Sequence, residues 1–100
     1  MINHIVLLKC RADIAEQQLS NLFCSLHDLV EKIPGLQSCT SGSNCSPEGM
    51  NRGYSHAFYM HFCSEQSRDA YLTHPQHEQV KLLIADALEK TKDNLLVMDF

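Results

Sequence analysis

This sequence predicts an α+β fold with the element order β-α-β-β-α-β, and three observations carry that prediction. Strand-like apolar runs open and close the chain. One uninterrupted apolar stripe at helical spacing follows the first of them. A strictly alternating run in the middle leads into a second, interrupted helical stretch. An antiparallel sheet carrying its helices on one face accommodates such an order.

Residues 2–10 are apolar on both parities, with His4, Val6 and Leu8 on one face and Ile5 and Leu7 on the other. A strand of that pattern is covered on both sides. Asp13, with Glu16 three residues on, resembles a capping box and predicts a helix start. Leu19, Leu22, Phe23, Leu26, Leu29, Val30 and Ile33 then recur at steps of three and four, and Pro34-Gly35 ends that stripe. Residues 36–43 are a weaker strand with polar alternation. Residues 44–53, with Asn44, Ser46, Pro47, Gly49 and Gly53, predict a loop. From Tyr54 to Cys63 the chain alternates: Tyr54, His56, Phe58, Met60 and Phe62 share one face, and Ser55, Ala57, Tyr59, His61 and Cys63 the other. Ser64 predicts the N-cap of a short helix reaching Tyr71. His74-Pro75 interrupts it, because the residue before proline is pushed out of helical geometry while proline suits a helix's first turn. Val80, Leu83, Ile84, Ala87 and Leu88 mark a second helical segment, and Asn94 to Phe100 a closing strand. The order is the split βαβ, or ferredoxin-like, arrangement within a single domain spanning 1–100.

Helices on one face leave the other face of the first strand, and less strongly of the last, apolar and bare. That predicts a homodimer in which two sheets pack face to face into a barrel-like core. A net charge of −4 and eight scattered Lys/Arg argue against a nucleic-acid partner and against a polybasic membrane patch. The longest apolar run near the start, Ile5-Val6-Leu7-Leu8, is too short for a signal core or a spanning helix, so the expected location is cytoplasmic. Five cysteines without a CxxC predict reduced thiols, with Cys10, Cys24 and Cys63 acting as small hydrophobes; a Cys39–Cys45 loop disulfide is the alternative.

The stretch Tyr71-Leu72-Thr73-His74-Pro75-Gln76-His77 is the most informative. Its spacings of three bring successive members together on a roughly helical backbone, and His77 shares the sheet-facing stripe of Val80 and Ile84. If the faces holding His4 and His56 also meet the helices, then His4, His56, Tyr71 and His77 converge on one apolar cavity. That is the make-up of a pocket for a small, partly apolar ligand, and an inward imidazole there can act as acid or base. The alternative is a hydrogen-bonded structural network of core histidines. His74 and His77 stand three apart, but no cysteine or carboxylate lies at a ligand offset, so no metal site is expected. Neither a phosphate-binding glycine loop nor a nucleophile elbow is present. His27 and His61 are expected at the surface.

The chain resembles the stress-responsive dimeric α/β-barrel (Dabb) domain family along nearly its whole length. The matching pieces are His4-Ile5-Val6-Leu7-Leu8-Lys9, Gly53-Tyr54-Ser55-His56, Phe62-Cys63-Ser64-Glu65, Asp69 to His77, and Val97-Met98-Asp99-Phe100. The resemblance implies a ferredoxin-like protomer and a homodimer. By resemblance to a polyketide cyclase of that family, Tyr71 and His77 are the catalytic pair, working without a cofactor. His4, His56 and His74 would be pocket histidines, with Leu26, Phe58, Met60, Val80 and Ile84 lining the substrate. The chain departs from that cyclase at Leu26, which replaces an aromatic residue, and across Glu78, Gln79, Val80 and Lys81. Three functions stay open: cofactor-free cyclase- or lyase-like chemistry on a carbonyl compound, a non-catalytic stress-related dimer, and a monooxygenase-like dimeric barrel.

Overall fold

The computed structural model describes residues 1–100. In chain order they form β1 (Ile2–Leu8), α1 (Glu16–Lys32), β2 (Leu36–Ser43), β3 (His56–Phe62), α2 (Glu65–Leu72), α3 (Pro75–Ala87) and β4 (Leu95–Asp99). The four strands make one antiparallel sheet in the order β2-β3-β1-β4, with β1 paired to β3 on one side and to β4 on the other. This is the predicted ferredoxin-like arrangement, its second helix divided at His74-Pro75.

Alternation places the core. His4, Val6 and Leu8 of β1 and Phe58, Met60 and Phe62 of β3 are buried, facing the helices. They meet Leu22, Leu26 and Leu29 of α1 and Val80, Ile84 and Ala87 of α3. Ile5 and Leu7 point to the other face, beside Ala57 and Tyr59 of β3 and Leu96 and Met98 of β4. No helix covers that side, and Leu96 and Met98 are 48% and 62% exposed. No helix is long and apolar enough to cross a membrane.

Local chemistry corrects several expectations. α1 starts at Glu16, not at Asp13, and Ala15 at its N-cap offers no side-chain hydrogen bond. Arg11 is the reason. Its guanidinium donates to the Asp13 carboxylate (2.9 Å) and to Gln18 (3.1 Å), so the predicted cap is engaged elsewhere. The strands are shorter than the apolar runs; Cys10 makes only an isolated bridge to Leu88. Ser64 does cap α2, accepting from the Ser67 N–H at 3.1 Å. Gly35 holds φ +85° after α1, and a Cβ there would collide with the Ser67 hydroxyl. All five thiols are free. Cys10 is buried, but Cys24 and Cys63 are exposed: Cys24 lies off the α1 stripe, and Cys63 follows the end of β3. Leu83, assigned to the α3 stripe, is 40% exposed.

Candidate functional site

Tyr71 and His77 meet ring to ring, with centroids 4.2 Å apart. Their spacing survives the proline break because the backbone stays in turns: the His74 N–H donates to the Tyr71 carbonyl and the His77 N–H to the His74 carbonyl, each at 3.0 Å. His77 Nδ1 lies 3.1 Å from the Leu72 carbonyl oxygen. A carbonyl can only accept, so Nδ1 carries the proton and Nε2 keeps its lone pair. Burial is the main influence holding the His77 pKa below the ordinary value, and the nearby Lys81 ammonium adds to it against the Leu72 bond. The ring is therefore neutral at physiological pH.

Tyr71 is 1% exposed, enclosed by Phe62 (centroids 5.0 Å), His77 and His4 (6.1 Å). Its hydroxyl has no hydrogen-bond partner in the protein. No side-chain polar atom is both sealed and unpaired, so that hydroxyl opens onto free space. Burial pushes its pKa well up, and charge on a Cys39 thiolate acts in the same direction, so the phenol stays protonated as a hydrogen-bond donor. His4, 5% exposed, places Nδ1 2.7 Å from Asp99 Oδ1, and Asp99 Oδ2 accepts from Arg68 Nη1 at 2.7 Å. Partial burial of Asp99 works to raise its pKa, but the Arg68 and His4 hydrogen bonds outweigh it and hold the carboxylate below its usual range.

These groups surround a cavity of about 300 Å³. Its walls are Val6, Phe58, Ile84, Leu88, Leu95 and Val97; its polar members are His4, Tyr71, His77 and, at the rim, Lys81. A neutral imidazole lone pair beside a phenol donor, in apolar surroundings, can remove an acidic C–H proton and hydrogen-bond the resulting oxyanion. No three His, Cys, Asp or Glu side chains gather as a metal-ligand set.

Of the predicted residues, the structure brings His4, Tyr71, His77, Phe58 and Ile84 together. His56 is elsewhere. It pairs with Leu8, whereas His4 pairs with Met60, and four residues of strand separate them by roughly 13 Å. His56 stacks on Phe23 (5.7 Å) in a separate open groove that also holds His27 and Ser41. His74 is the N-cap of α3, its Nδ1 accepting from the Gln76 N–H at 3.1 Å. Leu26 and Met60, each 0% exposed, are core beneath the cavity. Val80 turns toward α1, beside Leu29. Asp99, Arg68 and Lys81 were missed. The one signal was Asp99 itself, a carboxylate in an apolar closing strand on the parity of Leu95 and Val97.

Comparison with known proteins agrees with the fold. The model for the stress responsive A/B barrel domain (Dabb) matches residues 2–100. The stress-response A/B barrel domain-containing protein HS1 of Arabidopsis thaliana is 24% identical over 99 residues, which cover 99% of this chain and 87% of that one. Olivetolic acid cyclase of Cannabis sativa is 25% identical over 99 residues, covering 99% and 94%. The crystal structure of a dimeric ferredoxin-like protein of unknown function from Jannaschia superposes with a TM-score of 0.87 at 25% identity, covering 99% and 96%. A family-model match that runs from Ile2 to Phe100 leads to one conclusion: the chain belongs to the stress responsive A/B barrel domain (Dabb) family.

Proposed function

We propose that this chain is a homodimer whose protomers each bind a small, partly apolar carbonyl compound and transfer a proton on it without a cofactor. His77 Nε2 takes a proton from carbon next to a carbonyl, and the Tyr71 hydroxyl hydrogen-bonds the enolate oxygen. The observation that carries this reading is the pairing of a neutral imidazole, its Nδ1 committed to Leu72, with an unpartnered phenol on one apolar cavity. The relative named as a cyclase lends support, since ring closure between carbonyl groups begins with such a proton removal. The homodimer is supported by the bare apolar face of Ile5, Leu7, Leu96 and Met98 and by the dimeric state of the Jannaschia protein.

Deuterium exchange at the central carbon of acetylacetone, followed by NMR, tests the reaction. Wild-type protein should accelerate exchange, and His77→Ala should lose roughly 10²- to 10⁴-fold of that acceleration. Equal rates for the two would discard the proposal. Sedimentation equilibrium tests assembly: the wild type should run at twice the chain mass, and Met98→Lys should run as a monomer.

A further inference from the structure

Ring closure or its reverse needs more than a base. Once an enolate carbon attacks a second carbonyl, the new alkoxide must take up a proton. Tyr71 can hydrogen-bond such an oxygen, but a phenol held protonated by burial is a reluctant donor near neutrality. The other buried titratable group on the cavity is His4.

We infer that Arg68 and Asp99 are positioning residues that present His4 to the cavity as its proton donor, opposite His77; this rests on the proton-transfer reading above. The register pairs His4 directly with Asp99 across β1 and β4. Each carboxylate oxygen has its own partner, His4 Nδ1 on Oδ1 and Arg68 Nη1 on Oδ2, both at 2.7 Å, so the carboxylate cannot turn without breaking a bond. The Asp99 carboxylate can only accept, so His4 Nδ1 is the donor in that bond, and Nε2, which has no protein partner, is left for the cavity, where the imidazolium form would carry a transferable proton. Arg68 sits three residues before Tyr71, so the helix that supplies the phenol also clamps the carboxylate. The other titratable groups around His4 are Tyr71 of α2 and His77 and Lys81 of α3, while β3 presents only Phe58, Met60 and Phe62.

The step balances. His77 Nε2 accepts the C–H proton, and the C–H electron pair forms the enolate. The enolate carbon bonds to the second carbonyl carbon, whose oxygen takes the His4 Nε2 proton. His4 is left neutral and His77 protonated; exchange with water restores both, and no external reagent is consumed.

The test combines NMR titration of the His4 ring with retro-aldol cleavage of diacetone alcohol. Asp99→Asn keeps an acceptor for Nδ1 but removes its charge, so the His4 ring should titrate at lower pH than in the wild type. Arg68→Gln removes the cation behind Asp99, so the pKa should rise. Opposed shifts follow from the His4–Asp99–Arg68 pairing itself, so shifts of one sign, or none, overturn that pairing, while cleavage and its pH profile decide the catalytic role. His4→Gln should slow cleavage about 10²-fold or more, and Asp99→Asn should move the acid limb of the pH–rate profile downward. Wild-type acetylacetone exchange checks the parent reading separately. If exchange occurs but cleavage is absent, or equals that of His4→Gln, only the assignment of His4 falls.

Discussion

Replacing Tyr71 with phenylalanine separates a chemical role for the hydroxyl from a structural one. The ring is 1% exposed and packs against Phe62, His77 and His4, and phenylalanine keeps all of those contacts. Only the hydroxyl goes, and it makes no hydrogen bond to the protein. An unpartnered polar group in an apolar site costs about 1–3 kcal/mol when fully sealed. This one opens onto a cavity, so removing it should leave stability unchanged or raise it by up to about 1 kcal/mol. For a domain of this size that is a rise of no more than about 4–8 °C in Tm. Tyr71→Ala, by contrast, empties the ring site and should cost about 3–5 kcal/mol. Urea unfolding followed by circular dichroism, at one fixed protein concentration because a dimer's stability depends on it, measures both. On acetylacetone exchange, Tyr71→Phe should lose roughly 10²-fold as an oxyanion donor disappears. A stable but slow variant is the signature of a functional group. If Tyr71→Phe loses 2 kcal/mol or more, the hydroxyl is a structural node and the non-catalytic stress-related dimer becomes the better account.

Leu26 and Met60, core rather than ligand wall, should each cost about 2–5 kcal/mol as alanine in urea unfolding; a loss below 1 kcal/mol would return them to the pocket. Acidification should destabilise the fold in a definite window. Burial lowers the pKa of both His77 and His56 in the folded state, so the unfolded chain binds the proton first. Stability should therefore be level above about pH 6.5 and fall as pH drops through that value toward the folded pKa values. His77→Asn should flatten the slope, and a urea midpoint rising between pH 7 and 5.5 would contradict the assignment. Thiol reactivity should also divide. The Ser67 hydrogen bond leads the influences holding the exposed Cys63 thiol below its ordinary value, whereas burial pushes Cys39 up to about 11 and also raises Cys10. Limited alkylation with iodoacetamide, mapped by mass spectrometry, should mark Cys63 first; earlier labelling of Cys39 would refute this.

The amino-acid order by itself determined the face of each strand, the stripe of α1 and the break at His74-Pro75. It also determined the nearness of Tyr71 and His77, because period two, period 3.6 and proline's fixed geometry all act within a few residues. It went wrong where a cap had a rival: Asp13 was readable as an N-cap until Arg11 claimed it. Parity correctly told that His4 and His56 face the helices. It could not tell how far along the sheet each one sits, since that is a matter of register between strands more than fifty residues apart. Only the tertiary structure set His56 at the far end of the sheet. Only it laid Asp99 against His4 across ninety-five residues of sequence, with Arg68 behind the pair. A carboxylate and an imidazole acquire their protonation states from the partners and the solvent that folding leaves them, and those are properties of three-dimensional proximity, on which local sequence carries no imprint.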